Sequence, residues 1–535
     1  MCKVSKFEFL SFFMCVVSIV VFQISFLFMM CNLSYLYEIE LFFMNSIVFS
    51  TVVYLDWMAV MFMFIVLLIS SLILNYSKVY MGKECHQFLW LTMLFICFML
   101  VMIMSPSSLG VLLGWDGLGM ISYCLIIYYK SSNSFNSGFI TAATNRLGDS
   151  MLMVAIAWFS LDGLYLFFES SMTIFFVLAC MTKSAQVPFN VWLPLAMAAP
   201  TPISSLVHSS TLVTAGVYLL IRFYFCYQST FFVLILLICS LLTIFIAGIS
   251  ALKEFDMKRV IALSTLGQLG FMVLILCVGY PYIAFFHLLV HALFKALLFM
   301  CAGSIIHSSN GLQDLRKMGN MELDLILKSC INVSMFNLMG LPFTSGFYSK
   351  DTLLELIYFN FSGMGVGVLL LVLVSLTIAY TIRLIVYFSL GMWVVYTQVS
   401  WKMLLMIFIL SLSNVVMGVF LNWMIQELYF TCVTTLVKLM PLIVVSIGVC
   451  WHGTLKLTQP MNSFVVNMLF TTNVTKMHSY LVVLSLKLLK VMDQGWFESC
   501  IFNLKKNTLK TSYYFSKTGF NYLSVGVMIL VLYGL

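Results

Sequence analysis

Protonatable side chains inside apolar stretches are the first feature of this sequence that points to chemistry. A charge at the centre of a membrane helix costs about 2.5–3.5 kcal/mol on insertion scales, so such residues are functional candidates by default. Carboxylates, lysines and histidines can each take up and release a proton, and a series of them therefore indicates proton transfer through a membrane. The candidates are Asp116, Lys183, His208, His287, His291, Lys295, Lys350 and Asp351.

The first two candidates lie at points where a helix is weakened. Asp116 lies among glycines in L-L-G-W-D-G-L-G, which permit close helix packing or entry of water. Lys183 precedes Pro188, and a helix that breaks there frees backbone carbonyls beside the lysine. We expect the carboxylate and the ammonium group to face each other across a helix interface. An interfacial acid at a helix end and a snorkelling lysine are the alternatives.

His208 lies in the hydroxyl-rich segment I-S-S-L-V-H-S-S-T, which we expect inside an apolar helix. Imidazole titrates near neutral pH and can pass a proton between its two ring nitrogens. The pattern favours a relay group for protons, and a core histidine without a transport role is the alternative.

The most informative motif is F-H-L-L-V-H-A-L-F-K, in which His287, His291 and Lys295 recur at every fourth position. This spacing places the three side chains along one face of a helix. At a rise of 1.5 Å per residue they extend over about 12 Å, as a ladder that bridging waters could complete. Zinc binding and a structural polar seam are the alternatives, but the motif has no Glu or Cys to complete a zinc site, and the lysine would repel the cation.

Lys350 and Asp351 follow a second interrupted apolar segment, in which Gly340, Pro342 and Gly346 weaken the helix. Interrupted helices in two halves of a transporter point to an internal repeat with a site in each half. The lysine near each break therefore predicts two related sites. A lysine–aspartate pair that closes a helix at the membrane interface is the alternative.

Membrane-spanning helices must position these residues. The chain is 62% hydrophobic and only 9% charged, too few charges to cover a water-soluble fold. Its long apolar runs do not alternate as strands do, and they predict an all-α polytopic membrane protein with about fifteen spans. The predicted spans are 9–31, 57–75, 88–104, 108–128, 140–161, 172–194, 203–222, 230–250, 259–279, 283–306, 324–347, 362–389, 402–422, 432–452 and 518–535, with a weaker one at 461–490.

Several classes of function find no support in the sequence. There is no phosphate-binding loop, no dinucleotide-binding glycine motif and no C-x-x-C pair, so nothing indicates bound nucleotides, iron–sulfur clusters or zinc. The 15 cysteines are scattered singly, as small buried hydrophobic residues are. The net charge of +8 forms no compact basic patch, which argues against nucleic acid. The first apolar run is interpreted as a retained anchor that follows no import presequence.

Long motifs of the chain resemble the largest antiporter-like membrane subunits of respiratory complex I, the chain 5 family of NADH-ubiquinone oxidoreductase. The matching stretches occur in the family's order within residues 50–390, and motifs of this length exclude coincidence. They include L-G-W-D-G-L-G, N-R-L-G-D, T-K-S-A-Q-V-P-F, S-L-V-H-S-S-T-L-V-T-A-G, D-M-K-R-V-I-A-L-S-T-L-G-Q-L-G, F-H-L-L-V-H-A-L-F-K-A-L-L-F and G-F-Y-S-K-D.

The resemblance implies two inverted five-helix repeats, each with a broken helix, and a polar axis along the middle of the membrane. The three lysines of the series would be the central groups of this axis, and the three histidines would be relay groups. Asp116 stands where many members have glutamate, and Asn320 replaces the second of two glycines in a family loop. No cofactor or metal would be bound by this chain, because NADH, FMN, iron–sulfur clusters and ubiquinone belong to other subunits.

The resemblance also implies partners and a location. The partners would be other membrane-arm subunits, including neighbouring antiporter-like chains, together with accessory subunits and lipids such as cardiolipin. The abundance of Phe and Met resembles that of chains encoded inside mitochondria, which implies the inner mitochondrial membrane. A subunit of a multisubunit cation/proton antiporter is the alternative function. A receptor or scaffold, the third possibility, gives no reason for ionisable motifs within spans.

After residue 390 the resemblance continues only as a pattern. M-D-Q-G-W-F-E resembles the family's entry into a lateral helix, and six lysines and two acids between 487 and 517 suit an interfacial amphipathic helix, with an ordinary loop as the alternative. The predicted segments are N-terminal helices at 1–85, a first repeat at 86–250, a second repeat at 251–425, additional helices at 426–485, the lateral helix at 486–517 and a terminal span at 518–535.

Overall fold

The computed structural model of this protein describes most of the chain, and the larger of its two compact units carries every candidate residue. The units are Met1–Leu469 and Phe470–Leu535. The residues that the structure describes are 6–44, 47–82, 86–161, 173–228, 231–318, 321–322, 324–360, 364–389, 395–396, 399–426, 435–454, 468 and 483–517.

Helices dominate the larger unit, and within the described residues ten helical segments, one of which (Thr201–Arg222) contains a break, are long and apolar enough to cross a membrane. The prediction of a polytopic helical membrane protein is confirmed. In chain order the helices are α1 (Lys6–Cys31), α2 (Trp57–Met81), α3 (His86–Met104), α4 (Ser108–Ile126), α5 (Ser132–Leu161), α6 (Thr173–Lys183), α7 (Trp192–Leu195), α8 (Thr201–Val207), α9 (Leu212–Arg222), α10 (Tyr224–Tyr227), α11 (Phe232–Ala251), α12 (Met257–Val278), α13 (Pro281–Ser308), α14 (Leu325–Met339), α15 (Ser345–Asn360), α16 (Met364–Ser389), α17 (Trp401–Gln426) and α18 (Thr435–Thr454).

Two of the predicted spans are interrupted where prolines and glycines suggest it. The span at 172–194 consists of α6, an irregular turn and α7, so that Lys183 is the last residue of a helix. The span at 324–347 consists of α14 and the first residues of α15. Gly340 ends α14 in the left-handed region at φ +78°, which glycine adopts without steric cost.

A third interruption was not predicted. The span at 203–222 is divided into α8 and α9, and His208 lies at the break rather than inside a continuous helix. The hydroxyl groups of Ser210 and Thr211 both donate to the carbonyl of Leu206, at 3.1 and 2.7 Å. Because such bonds compete with the helical pattern of backbone amides, the hydroxyl-rich segment itself favours the break.

A β-hairpin joins α1 to α2, in a stretch of the chain where no span was predicted. Strand β1 (Tyr35–Met44) pairs antiparallel with β2 (Ile47–Leu55). Glu38 and Glu40 alternate with apolar residues within β1, which is the period of a strand and not of a helix. A further pair of short parallel strands, β3 (Met321–Glu322) and β4 (Val395–Tyr396), lies ahead of α14 and α17.

The core of the larger unit is built around α12 and α13. Almost every residue of these two helices is buried, whereas α1 and α11 expose large apolar side chains such as Phe12 and Leu234. Exposed apolar surface of this extent is suited to lipid. The titratable groups on α12 and α13 are therefore shielded from lipid by the surrounding helices.

Contacts between two charged loops, which lie outside the spans, hold the beginning of α12 in place. Leu315 donates its amide to the carbonyl of Phe255 at 2.9 Å, and the ring of Phe255 lies 4.3 Å below the guanidinium of Arg316. Arg316 also donates to Asp314 at 2.7 Å, and this hydrogen bond holds the pKa of the carboxyl below its usual value. These contacts tie the α11–α12 loop to the α13–α14 loop.

The described part of the smaller unit is helical. Residues 483–517 form one helical stretch that contains a π-helical turn at Met492–Phe497 and ends with α19 (Glu498–Lys517). Apolar side chains such as Trp496 and Leu504 are exposed within it, and the interfacial lateral helix stays a prediction. The terminal span at 518–535, most of the weaker span at 461–490 and Asn320 lie outside the described residues.

Candidate functional site

The first cluster of candidate residues lies between α4 and α6. Lys183, at the end of α6, is fully buried and donates from Nζ to the backbone carbonyl of Trp115 at 2.8 Å. The same ammonium group lies 4.5 Å from the centre of the Trp115 ring, a favourable cation–π geometry. Asp116 follows directly in α4, and its Oδ1 is buried without a hydrogen-bond partner among the described residues.

A second carboxylate, which sequence reasoning missed, belongs to this cluster. Asp149 of α5 accepts from the indole nitrogen of Trp115 at 2.8 Å and pairs with Arg146 at 3.2 Å. Together with Asp116, it acts electrostatically on Lys183. The signal was present in N-R-L-G-D, where an acid three residues after an arginine interrupts a predicted span.

Polar side chains continue from this cluster toward α12. Gln186, in the turn after α6, accepts from the hydroxyl of Thr243 of α11 at 2.9 Å. Lys258, in the first turn of α12, is buried and donates to the carbonyl of Ala199 at 3.2 Å. Lys258 was also missed, although it stands in one of the motifs that carry the family resemblance.

His208 lies at the break between α8 and α9. Its ring is 1% exposed, and neither nitrogen has a hydrogen-bond partner among the described residues. The ring centre lies 6.0 Å from that of Trp192. An imidazole with two unpaired nitrogens in a buried position has its full capacity to bind water or a proton donor.

The ladder on α13 is anchored to α12 and α15. Lys295 donates from Nζ to the hydroxyl of Ser264 at 2.5 Å. The two ring nitrogens of His287 lie 3.1 Å from Gln268 Oε1 and 2.9 Å from Ser349 Oγ.

The remaining member of the ladder, His291, has no partner at either nitrogen among the described residues, and its ring centre lies 6.3 Å from that of His287. The structure thus places the three predicted side chains on one buried face. Both nitrogens of His287 are engaged by polar neighbours, which leaves the pair of histidines poorly arranged for zinc. No group of three metal-binding side chains occurs among the described residues.

Lys350 and Asp351 lie in the second turn of α15. Lys350 is 4% exposed, and its Nζ donates to the hydroxyl of Thr377 at 3.0 Å and to the carbonyl of Leu338 at 3.4 Å. A pair that closes a helix at the interface is therefore the wrong interpretation, because α15 continues to Asn360. Asp351 is partly buried beside this ammonium group.

These residues form two clusters that α12 connects. One contains Lys183 with its two carboxylates, and the other extends from Lys295 to Lys350. Between them α12 contacts the first half through Lys258 and the second half through Ser264 and Gln268. Protonatable groups joined by short polar gaps, in a core without lipid contact, can pass protons when water bridges the gaps.

Comparison with protein families places residues 105–381 in the NADH:quinone oxidoreductase/Mrp antiporter transmembrane family. The chain is 44% identical over 467 residues to NADH-ubiquinone oxidoreductase chain 5 of Anopheles gambiae, an alignment that covers 84% of this chain and 80% of the relative. It is 41% identical over 521 residues to the protein of the same name from Aedes aegypti, with 90% and 89% covered.

Solved structures share the fold at lower identity. The chain matches the Mrp complex from Dietzia sp. DQ12-45-1b with a TM-score of 0.75 and 21% identity, over 97% of this chain and 63% of the other. It matches the membrane-bound sulfane sulfur reductase, an archaeal respiratory membrane complex, with a TM-score of 0.68 and 17% identity, over 83% and 93% of the two chains. The antiporter-like fold thus extends over nearly the whole chain.

Proposed function

The chain belongs to the NADH:quinone oxidoreductase/Mrp antiporter transmembrane family, and from this premise we propose that it translocates protons as a membrane-arm subunit of respiratory complex I. The observation that carries the proposal is the row of buried lysines and histidines that α12 connects. Relatives at 44% and 41% identity carry the name NADH-ubiquinone oxidoreductase chain 5, which supports a place in the inner mitochondrial membrane.

The chemistry of this chain is proton transfer without a redox step. NADH oxidation and ubiquinone reduction take place on other subunits, which hold FMN and the iron–sulfur clusters. Their free energy reaches this chain through conformational or electrostatic coupling. Moving one charge against 100 mV requires about 2.3 kcal/mol, so a relay lysine must change its proton affinity by a comparable free energy in each cycle.

In the first half, Asp116 and Asp149 control the proton on Lys183. Two carboxylates near the ammonium group favour its charged form, and a movement of α4 or α5 away from α6 would release the proton. The buried position of the lysine makes this change large, because little water is present to screen it. The proton would then pass by way of Lys258 at the beginning of α12.

In the second half, the route follows one face of α13 and ends in α15. Lys295, His291 and His287 relay protons along this face, and Lys350 with Asp351 exchanges them at its end. His291 is the member with unpaired nitrogens, so it is the position where water completes the route. His208 serves the first half in the same manner.

The helices suggest a boundary between the two repeats that differs from the one predicted from the sequence, between residues 250 and 251. If the boundary lies at 229–231, the first repeat contains α3, α4, α5, α6–α7 and α8–α9, and the second contains α11, α12, α13, α14–α15 and α16. Each repeat then has five spans and an interrupted fourth span with a lysine beside the break. We therefore propose 86–228 and 231–389 as the repeats.

The partners follow from the same proposal. They are neighbouring antiporter-like chains, accessory subunits and lipids such as cardiolipin, with the lysine-rich helical stretch at 483–517 lying along the membrane interface. Trp496 and Leu504 would enter the lipid headgroup region while the lysines contact phosphates.

Proton uptake by the intact complex in sealed vesicles tests the function. With NADH and a soluble ubiquinone analogue, we expect acidification of one compartment that stops when quinone reduction stops. A sodium gradient should not drive or replace it. Sodium-dependent proton exchange in the absence of NADH would instead favour the antiporter alternative. The match to the Mrp complex over 97% of this chain is the observation behind that alternative.

A further inference from the structure

A row of uncharged polar side chains lies where α17 contacts α14 and the first residue of α15, outside the two clusters. The thiol of Cys330 lies 3.5 Å from the hydroxyl of Ser411, and the hydroxyl of Ser345 donates to Asn414 Oδ1 at 2.9 Å. All members are at most 8% exposed. This α14–α17 seam consists of Cys330, Ser334, Asn337, Ser345, Ser411 and Asn414.

The spacing of these residues places them in rows along their helices. Cys330, Ser334 and Asn337 lie four and three residues apart, on one face of α14, and span about 10 Å of its axis. Ser411 and Asn414 lie on one face of α17 three residues apart. Polar side chains from both helices therefore face the same narrow volume.

The seam has hydrogen-bonding capacity that the protein does not use. The amide nitrogens of Asn337 and Asn414 are buried, and neither has a hydrogen-bond partner among the described residues. An unpaired buried donor destabilises the fold, and buried water is the usual means of satisfying it. Two such donors beside hydroxyl groups are a site for ordered water.

The outer end of the seam is at a membrane face. The amide of Val399 donates to Asp324 Oδ2 at 3.2 Å, directly before α17 and α14 begin. The parallel pairing of β3 and β4 joins the same two connections. Both helices therefore enter the membrane from one face and carry the seam inward.

The inner end of the seam is at Lys350. Asn337 is followed by Leu338, whose carbonyl accepts from Lys350 Nζ at 3.4 Å. A Cβ on Gly346 would lie 1.9 Å from the carbonyl oxygen of Asn337, so the first turn of α15 is held tightly against this point. The seam thus extends from a membrane face to the buried lysine of the second half.

We propose that the α14–α17 seam is a water-filled path by which protons reach Lys350 from the membrane face where α14 and α17 begin. The proposal rests on the proposed proton-translocating function and adds α17, which lies beyond the family match at 105–381, to the transport machinery. Each arriving proton binds the neutral amine of Lys350. The water chain recovers by taking one proton from the aqueous phase at its outer end.

The native cysteine Cys330 reports directly on water in the seam. A methanethiosulfonate reagent forms a disulfide with a thiolate and releases a sulfinate, and the thiolate forms readily only in contact with water. Cys301 of α13 is the matched control, because it is 1% exposed and adjoins an apolar cavity that Ile331 and Leu384 also line.

In the intact complex in native membranes, labelling with 2-aminoethyl methanethiosulfonate is quantified by peptide mass spectrometry. We expect Cys330 to react about tenfold faster than Cys301, because only the former thiol contacts water. Equal rates at the two cysteines, or no reaction at Cys330, would overturn the water-filled path. This measurement needs no variant, so it does not depend on the folding of altered chains.

Substitution then tests whether protons use the water. Asn414→Leu keeps the side-chain size but removes the amide, and should lower both Cys330 labelling and NADH-driven proton uptake severalfold. Ser413→Ala is the control on the same helix, since the Ser413 hydroxyl donates only to the carbonyl of Leu410. Reduced labelling with unchanged proton uptake in an assembled Asn414→Leu complex would overturn the transport role.

Failure of the seam and failure of the proposed function give different results. If the unaltered complex takes up no protons during NADH oxidation, the function is wrong, while the ratio of Cys330 to Cys301 labelling still decides whether the seam holds water. If the unaltered complex pumps and that ratio is one, only the seam is wrong.

Discussion

Lys295 is the residue at which a relay and a fixed charge can be told apart. Its ammonium group is fully buried and its hydrogen-bond partner is the neutral hydroxyl of Ser264. A carboxylate beside it would hold the proton in place. With a hydroxyl as its partner, the lysine can lose its proton without leaving a buried anion unpaired.

Lys295→Ala should lower the rate of proton pumping about tenfold or more, because an increase of about 1.36 kcal/mol in the activation barrier is sufficient for that factor. Assembly should be largely kept, since alanine favours the helix. Electron transfer from NADH to quinone should fall with pumping if the two are tightly coupled. Both rates are measured in sealed vesicles, and the amount of complex is measured on native gels.

Lys295→Arg is the matched variant, because arginine keeps the charge but does not deprotonate. We expect pumping to be as low as in the alanine variant. Pumping at the parental rate would mean that Lys295 is only a fixed charge and that the relay along α13 is wrong.

The two carboxylates near Lys183 can be compared by removing one charge at a time. Asp149→Asn keeps an acceptor for the indole of Trp115 but loses the charge, so we expect pumping to fall about tenfold, the factor for 1.4 kcal/mol. Asp116→Asn should have a smaller effect, because Asp149 accepts from Trp115, whose carbonyl binds Lys183, whereas Asp116 Oδ1 has no hydrogen-bond partner among the described residues.

Arg146→Gln distinguishes an action of Asp149 on Lys183 from a purely structural ion pair between Asp149 and Arg146. Arg146 is half exposed, so loss of its pairing with Asp149 should change pumping little. If Arg146→Gln and Asp149→Asn impair pumping equally, Asp149 acts by holding the ion pair and not by acting on Lys183. Proton uptake per NADH oxidised is the measurement for all three variants.

At the scale of elements, the interrupted helix α14–α15 depends on contact between backbones. Gly346→Ala would place a Cβ 1.9 Å from the carbonyl oxygen of Asn337, and a backbone oxygen cannot move aside cheaply. Overpacking of this kind costs about 1–3 kcal/mol or more. We expect a lower yield of assembled complex and a displaced Lys350, seen as lower thermal stability and reduced pumping.

Gly267→Ala is the control for this variant. It lies in the buried helix α12, and its added Cβ would meet only Ala247 at 3.7 Å, an ordinary contact. Yield and thermal stability should be nearly unchanged. Equal losses in the two variants would show that any added methyl group is harmful and that the break has no special requirement.

At the scale of the whole molecule, the chain is expected to function only as part of an assembly. It should purify within a large membrane complex that contains flavin and iron–sulfur subunits, because relatives at 44% and 41% identity are named as chains of NADH-ubiquinone oxidoreductase. Size-exclusion chromatography with mass spectrometry of the purified material is the measurement. A freestanding homo-oligomer that exchanges cations would contradict the complex I assignment.

Sequence reasoning identified the ionisable residues whose free-energy cost in lipid is evident from a single segment of the chain. The His287–His291–Lys295 stripe follows from helical spacing alone, and the breaks near Lys183 and Lys350 follow from prolines and glycines. These features are local, so the sequence contains all the information that they require.

Features that depend on packing between distant segments were not predicted. Asp149 resembled half of an ordinary pair with Arg146, and only the packing of α4 on α5 brings it to Trp115 and Lys183. The break at His208 depends on which carbonyls the neighbouring hydroxyl groups find. The β1–β2 hairpin was not predicted either, although Glu38 and Glu40 alternate with apolar residues there, because the stretch between the first two spans was assigned no element.

The hydroxyl groups that accept from Lys295 and Lys350 have a consequence for proton transfer beyond the two lysines. Ser264 Oγ and Thr377 Oγ1 each donate their single hydrogen to the carbonyl three residues earlier in their own helices, at 2.6 and 2.7 Å. A hydroxyl whose hydrogen is engaged can accept from an ammonium group but cannot hand a proton onward. Each therefore acts as a barrier: proton transfer through it, in either direction, must wait for the hydroxyl to rotate away from its carbonyl.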